Sequence, residues 1–232
     1  MNQLSWLSEQ LAKGFHRIGQ IEILHGDQKP ANDRSDVTYV LCHELDIEVV
    51  KSTKGLPADF IIATGPDRAR ELSTYSPENE YRFTKGQMNL RRNWVMHLQS
   101  LQELLLALEG FYPSSFALWV AQQRGSLEVQ NLRDKLNRQT GMYRFARSIS
   151  NEGAQQLIQN VCGPEHQCAK KILWQIDEGN PLDDSAASRF NGIGSGLAEP
   201  QAIPLLCREA CNHFVAECRK VSKLEFEQKA QQ

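Results

Sequence analysis

The sequence has no long apolar run, which argues against a membrane-spanning helix. Such a helix needs about 20 consecutive apolar residues, whereas the most apolar segment, LQELLLALEGFYP, contains Glu103 and Glu109. The N-terminal MNQLSWLSEQLAKGF has leucines at helical spacing and lacks the charged start and cleavage site of a signal peptide. We therefore predict an amphipathic N-terminal helix, a cytoplasmic location and no membrane partner.

The sequence also has no excess of basic over acidic residues. The chain has 26 basic and 28 acidic residues, for a net charge of -2. Proteins that bind nucleic acid non-specifically do so through a basic field, so we expect no nucleic-acid partner. With 232 residues, of which 41% are hydrophobic, the chain can form one large or two small cores without disulfides.

The order of apolar patterns predicts an α+β fold. Three short β-rich runs in the N-terminal third predict a small mixed or antiparallel sheet with helices, and the first two flank a polar loop typical of a hairpin. From Gly86 onward the pattern indicates helices. The β-rich runs are Gln20–Leu24, Val37–Cys42 and Phe60–Ala63. We predict a small α+β part at residues 1–95 and a mainly helical part at residues 96–232.

Three of the six cysteines occur in one segment, IPLLCREACNHFVAECRK. If this segment is helical, Cys207, Cys211 and Cys218 share one face. They could then be buried apolar residues, disulfide partners or metal ligands. A reducing compartment disfavours disulfides, so disulfide pairing is the weakest of the three possibilities.

The cysteines also form two pairs, as expected of a four-thiolate site. Cys162 and Cys168 flank a Gly-Pro turn in CGPEHQC, and Cys207 and Cys211 are one helical turn apart if the segment is helical. A tetrahedral sulfur site takes ligands from two elements. Structural zinc prefers tighter spacings, whereas an iron-sulfur cluster binds each thiolate at a separate iron. The spacing therefore favours a 4Fe-4S cluster over zinc, and ordinary burial remains open.

The residues around the pairs are consistent with a cluster, which is a net anion. Pro204 would place Cys207 in the first turn of a helix, where unpaired N–H groups can donate to sulfur. His166 and His213 are alternative ligands. Cys42, on a predicted strand, and Cys218, about 10 Å further along the helix, are predicted to be core residues. Basic residues flank the pairs: Lys170, Lys171, Arg208, Arg219 and Lys220.

A basic and aromatic segment, LRDKLNRQTGMYRFAR, precedes the first cysteine pair. Guanidinium groups pair with carboxylates and aromatic rings stack on macrocycles, so the segment could bind a polycarboxylate such as a tetrapyrrole. A solvated helix face is the alternative. The residues concerned are Arg133, Lys135, Arg138, Arg144 and Arg147, with Tyr143 and Phe145 between them.

Taken together, these motifs resemble a known family. LNRQTGMYRFAR, VCGPEHQC, ILWQID and PLLCREACNHFVAECRK resemble the accessory region of multidomain CbiX-type sirohydrochlorin cobaltochelatases. IGQIEI, GPDRAREL and LLLALEGFYPSSFALW are similar to the stabilising part of that region. The resemblance covers about residues 18–220 and implies a 4Fe-4S cluster held by Cys162, Cys168, Cys207 and Cys211.

The resemblance does not extend to the chelatase domain of that family. Its catalytic histidine lies in a Gly-His-Gly motif after the first strand, whereas this chain has ILHGDQ, in which we expect His25 to be a hairpin-loop residue. The chain therefore resembles the accessory region without the chelatase domain. We expect a redox or accessory partner of a chelatase or reductase in tetrapyrrole or cobalamin-type metabolism, or alternatively a binding module with a structural four-cysteine metal site. No nucleophile or acid-base pair indicates an enzyme.

Overall fold

The computed structural model describes residues 2–26, 29, 37–52, 55–73, 90–162, 170–178 and 202–231. The chain divides into two compact units, each of which contains helices and strands. The first unit is Met1–Thr84, Asn89–Gly125 and Glu199–Pro204, and the second is Lys85–Met88, Ser126–Ala198 and Leu205–Gln232. The predicted α+β class is confirmed.

The described residues form the following elements. The strands are β1 (Arg17–Ile18), β2 (Ile21–His25), β3 (Tyr39–His43), β4 (Ile61–Thr64), β5 (Trp94–Leu98), β6 (Lys170–Ile172), β7 (Ala202–Ile203) and β8 (Leu205–Cys207). The α-helices are α1 (Gln3–Ala12), α2 (Ile47–Lys51), α3 (Ala69–Leu72), α4 (Leu101–Phe111), α5 (Ser115–Gln123), α6 (Leu132–Asn137), α7 (Asn151–Cys162) and α8 (Asn212–Lys229). Short 3-10 helices occupy Glu44–Asp46, Pro66–Arg68 and Gly141–Ser148.

A six-stranded mixed sheet organises the first unit, in the order β4-β5-β3-β2-β1-β7. The predicted hairpin is confirmed, because β2 and β3 are antiparallel with Ile21 opposite His43. The pairs β4–β5 and β1–β7 are parallel. The sheet therefore combines both pairing types, as the mixed alternative predicted.

One strand of this sheet contradicts the helical pattern predicted from Gly86 onward. Trp94–Leu98 forms β5, which lies between β3 and β4. Trp94, Val95, Met96 and Leu98 are all buried, so apolar residues face both sides of the strand. A strand that is buried on both faces lacks two-residue alternation and cannot be told from a buried helix by periodicity.

Aromatic packing holds α1 in the core of the first unit. The helix begins at Asn2, whose side chain accepts a hydrogen bond from the Ser5 amide at 2.8 Å. Its Trp6 ring stacks on Trp119 at 5.5 Å and meets Phe116 edge-on at 5.6 Å between ring centroids. The predicted amphipathic helix is confirmed.

No single helix among the described residues is long and apolar enough to cross a membrane. The helices α4 and α5 pass the test of length and composition only as a pair, which is bent by 104°.

A buried carboxylate, Glu22, lies on β2 of the same sheet. Its Oε1 is 3.8 Å from Arg17 Nη1, and its Oε2 is 3.7 Å from His16 Nε2. Burial raises the pKa of Glu22 above its ordinary value of 4.5, and the nearby Arg17 and His16 only partly oppose this effect. The folded state therefore binds this proton more tightly than the unfolded chain does.

This raised pKa predicts a specific pH dependence for Glu22→Gln. The stabilisation from Glu22 protonation is complete below pH 4.5 and is lost as the pH rises through the folded-state pKa. We expect the free energy of unfolding of the variant, relative to wild type, to increase as the pH rises above 4.5. Urea unfolding at several pH values measures this slope. Parallel profiles for Glu22→Gln and wild type would contradict the prediction.

The second unit packs α8 against α7 and the 3-10 helix Gly141–Ser148. Gly141 begins this 3-10 helix with a φ of +58°, a left-handed conformation that favours glycine. The Glu225 carboxylate on α8 accepts hydrogen bonds from the Ser150 amide at 3.0 Å and from its hydroxyl at 2.7 Å. Since Ser150 directly precedes α7, this contact fixes the start of α7 against α8.

Candidate metal centre

The segment with three cysteines is not one helix. Leu205–Cys207 forms β8, and α8 begins only at Asn212, with Cys211 as its N-cap. The prediction that Cys207 lies in a helical first turn, one turn before Cys211, is therefore wrong, as is the prediction of one face for three thiols. The physical reason is that parallel pairing with β6 holds this stretch extended.

Cys207 lies at the carboxyl end of β8, opposite Ile172 of β6. Its carbonyl accepts a hydrogen bond from the Leu173 amide at 3.0 Å. Its sulfur accepts a hydrogen bond from Trp174 Nε1 at 3.2 Å and donates one to the Glu209 carbonyl at 3.1 Å. The half-buried thiol is thus held between the Trp174 side chain and the Glu209 backbone.

Cys211 provides the second sulfur, at the start of the 18-residue helix α8. Its backbone is extended and its Sγ accepts a hydrogen bond from the Phe214 amide at 3.4 Å. Amide groups at a helix N-terminus carry partial positive charge. The sulfur of Cys211 therefore lies where negative charge is favoured.

Cys162 is the last residue of α7 and belongs to the apolar core of the second unit. Cys207 and Cys211 pack against the same core from partly buried positions. The structure thus brings three of the four predicted ligands to one core. Cys168, the fourth predicted ligand, and the alternative ligand His166 lie outside the described residues. His213 lies in the first turn of α8 and is half-buried.

Within the described part of the chain, no three His, Cys, Asp or Glu side chains are gathered closely enough to hold one metal ion. A zinc site needs its sulfurs about 2.3 Å from a single ion, whereas a 4Fe-4S cluster binds each thiolate at a separate iron. No disulfide joins the described cysteines. N–H groups donate to two of the sulfurs, as is common around cluster thiolates. The donor chemistry therefore fits cluster ligands.

Cys42 and Cys218 are completely buried, unlike the described candidate ligands. Burial raises the pKa of each thiol to about 12, with Glu22 and Asp46 adding to the effect at Cys42. Cys42 lies inside the sheet on β3, and Cys218 lies inside the second core on α8. The prediction that both are core residues is confirmed.

We expect this difference to appear in thiol alkylation of the metal-free, reduced protein. At a pKa of about 12 instead of 9, the thiolate fraction at neutral pH falls about a thousandfold, so Cys42 and Cys218 should react with iodoacetamide far more slowly than Cys207 and Cys211. Peptide mass spectrometry measures the rates, with guanidinium-denatured protein as the control. Equal rates at Cys42 and Cys207 in the folded protein would contradict the expectation.

The basic segment divides into two parts in the structure. Arg133 donates to the Ile149 carbonyl at 2.7 Å, Lys135 pairs with Glu209 at 3.3 Å and Arg138 bonds to Gln130. These three side chains therefore have structural partners. The second part, on the 3-10 helix, is exposed.

We call the exposed 3-10 residues, together with the half-buried Arg219 of α8, the arginine–aromatic surface. Its members are Met142, Tyr143, Arg144, Phe145, Arg147 and Arg219. The Arg144 guanidinium lies 5.8 Å from the Phe145 ring centroid, and that of Arg219 lies 5.8 Å from the Tyr143 centroid. Phe145 is 60% exposed and Met142 is 59% exposed. Among the described residues, none of its three arginines is paired with a carboxylate.

His25, the residue compared with a chelatase histidine, is the last residue of β2. It lies opposite Tyr39 of β3, and Gly26 follows with a φ of +57°. The residue thus ends a hairpin strand and lies one position before the loop in which the sequence placed it.

Two family models match adjacent parts of this two-unit α+β chain. Residues 124–220 match the model of a 4Fe-4S iron-sulfur cluster binding domain, and residues 6–123 match the model of the DR2241 stabilising domain. The second match covers half of the chain, and the chain belongs to the DR2241 stabilising-domain family. Along the sequence, the boundary between the two matches lies between residues 123 and 124. The boundary between the compact units lies two residues later, between Gly125 and Ser126.

A solved structure shares this fold. The crystal structure of DR2241 from Deinococcus radiodurans matches with a TM-score of 0.64 and 20% identity, over 95% of this chain and 41% of that one. It is described as a multidomain protein with structural similarity to chelatases and two additional novel domains. This likeness shows a shared fold, and together with the two family matches it confirms the predicted resemblance to a stabilising and cluster-binding region. No curated protein matches.

Proposed function

We propose that this protein binds a 4Fe-4S cluster through Cys162, Cys168, Cys207 and Cys211. The observation that carries the proposal is that the cluster-binding match spans all four cysteines, and three of them border one core. A cluster with four thiolate ligands exchanges single electrons when bound. The chain's own contribution is to exclude water with the apolar core and to supply N–H groups to the sulfurs.

The proposed role is that of a redox or accessory partner in tetrapyrrole or cobalamin-type metabolism. Its support is the relation to a multidomain protein that is described as similar to chelatases. We propose a cytoplasmic location, because thiols remain reduced there. In this role the protein would pass one electron at a time to or from a chelatase or reductase.

A structural four-cysteine site, with zinc or a cluster, is the second candidate. Its support is the position of Cys162, which is 8% exposed and ends α7, whereas Cys207 ends β8. A metal joined to both residues would cross-link separate elements of the second unit. Such a site would stabilise the fold without exchanging electrons.

Metal analysis after anaerobic purification tests the proposal. We expect about four irons and four sulfides per chain, with broad visible absorption. One zinc per chain would support the second candidate. No metal after anaerobic reconstitution with iron and sulfide would contradict both. A reversible one-electron wave in voltammetry then distinguishes a redox role from a structural one.

We also propose that the arginine–aromatic surface binds an electron-donating protein with an acidic surface. Exposed Tyr, Phe, Met and Arg are enriched in protein interfaces, and the three arginines have no described carboxylate partner. Five of the six residues lie on the 3-10 helix Gly141–Ser148, where Met142 and Phe145 are 59% and 60% exposed, whereas small-molecule sites are concave and bury most of their ligand. These features favour a protein over the tetrapyrrole suggested by the sequence.

The rate at which a reduced flavodoxin, an acidic one-electron donor, reduces the reconstituted protein tests this surface. We expect the double variant Arg144→Glu/Arg147→Glu to be reduced at least about tenfold more slowly at low salt. Dithionite should reduce the variant and wild type equally. Lys223→Glu, at a side chain that is 75% exposed on α8, is the matched control. Equal reduction rates for all three proteins would contradict the proposal. So would a result in which the wild-type protein binds phosphatidylserine vesicles and the double variant does not, while their reduction rates are the same.

A further inference from the structure

Trp174 lies beside Cys207 because of the register of the two-stranded sheet. The strands β6 and β8 are parallel, and Ile172 is opposite Cys207 where both strands end. Side chains two residues apart on an extended chain point to the same side, so Trp174 follows Ile172 on that side. Its indole Nε1 lies 3.2 Å from the Cys207 sulfur.

The hydrogen bond of the Trp174 indole differs in its acceptor from those of Trp94 and Trp119. Trp94 and Trp119 donate from Nε1 to the backbone carbonyls of Arg91 at 2.6 Å and Pro204 at 3.1 Å. Trp174 donates to a sulfur instead. Its ring is 2% exposed and packs against Phe214 at 5.4 Å between centroids. The indole N–H is therefore fixed in position and shielded from water.

The sulfur of Cys207 makes a second hydrogen bond, which would be lost if Cys207 bound iron. As a thiol it donates its proton to the Glu209 carbonyl at 3.1 Å. A metal ligand must be a thiolate, so that donation ends when Cys207 binds iron. The indole N–H can only donate, and its bond to sulfur becomes stronger because the acceptor is then charged.

From this geometry we propose that the Trp174 N–H raises the reduction potential of the cluster by hydrogen bonding to the ligand Cys207. The inference rests on the proposed function. In the reduction, one electron enters from the donor, and no bond to protein is made or broken. The added negative charge is shared by the sulfurs, so an N–H donor stabilises the reduced form more than the oxidised form. Trp174 is thus a positioning residue that acts through Cys207.

Redox titration of the reconstituted protein at an electrode tests the inference. We expect Trp174→Phe to retain four irons and to have a lower midpoint potential. At the wild-type midpoint, its ratio of oxidised to reduced cluster should rise about tenfold, which for one electron is about 59 mV. Trp119→Phe is the matched control, since it removes an indole N–H that donates to a carbonyl, and its potential should equal that of wild type.

A second variant separates the N–H group from the bulk of the ring. Benzothienylalanine at position 174, incorporated during translation, keeps the ring shape and replaces N–H by sulfur. We expect the same lowered potential. An unchanged potential, or loss of the cluster, in this variant would overturn the inference and leave the proposed function standing. Absence of a cluster from the wild-type protein would overturn both.

Discussion

Cys207→Ser should lose its iron, because a serine hydroxyl is a poor substitute for a thiolate ligand. We expect the iron content after anaerobic reconstitution to fall from about four per chain to near zero, with loss of the visible absorption. Cys162→Ser and Cys211→Ser should behave in the same way. Cys168→Ser tests the predicted ligand that lies outside the described residues.

The controls for this series come from the fully buried thiols. Cys218→Ala removes a sulfur from the same core, on the same helix that Cys211 caps, and Cys42→Ala removes one from the sheet of the first unit. Both should retain about four irons, even if they unfold at lower temperature. Retention of the cluster in Cys211→Ser, or its loss in Cys42→Ala, would refute the ligand set.

Trp6→Ala should produce a large loss of stability in the first unit. Trp6 is 1% exposed and contacts both Phe116 and Trp119. Removal of a large buried aromatic side chain costs about 3–5 kcal/mol because it leaves a cavity. Urea unfolding followed by circular dichroism measures the change in free energy of unfolding.

Two further variants define the cause of that loss. Leu106→Ala, on α4 at a side chain that is 51% exposed, should change the free energy of unfolding by less than about 0.5 kcal/mol. Trp6→Phe should cost less than Trp6→Ala, because it keeps a ring and removes an indole N–H that has no hydrogen-bond partner among the described residues. A loss below about 1 kcal/mol for Trp6→Ala would show that its packing contributes little.

Local signals account for the parts of the fold that the sequence predicted. The hairpin of β2 and β3 comes from two β-rich runs that flank a polar stretch of sequence. The helix α4 has leucines at helical spacing after Ser100, which caps it by accepting from the Glu103 amide at 3.2 Å. The α+β class follows from these neighbouring residues. The division predicted after residue 95 depends on packing between distant segments, whereas the compact units divide at Gly125.

The candidate site was predictable in its residue types more than in its geometry. Cysteine spacing predicts two pairs of thiols, but the extended conformation at Cys207 depends on β6, more than 30 residues earlier in the chain. Trp174 gave no signal of its own. Its position beside Cys207 follows only from the register of β6 and β8, which no periodicity within either segment reveals.

The strand β7 has a consequence for dividing the chain into separate domains. This strand pairs with β1 at the edge of the six-stranded sheet, although it comes from Glu199–Pro204, far beyond the rest of the first unit in sequence. A fragment that ends at Gly125 would keep the pairing of β1 with β2 but would leave unpaired the N–H and C=O groups on the side of β1 that faces β7, and an open edge strand promotes aggregation. Soluble expression of the first unit by itself therefore requires grafting the β7 segment onto the fragment, for example through a flexible linker.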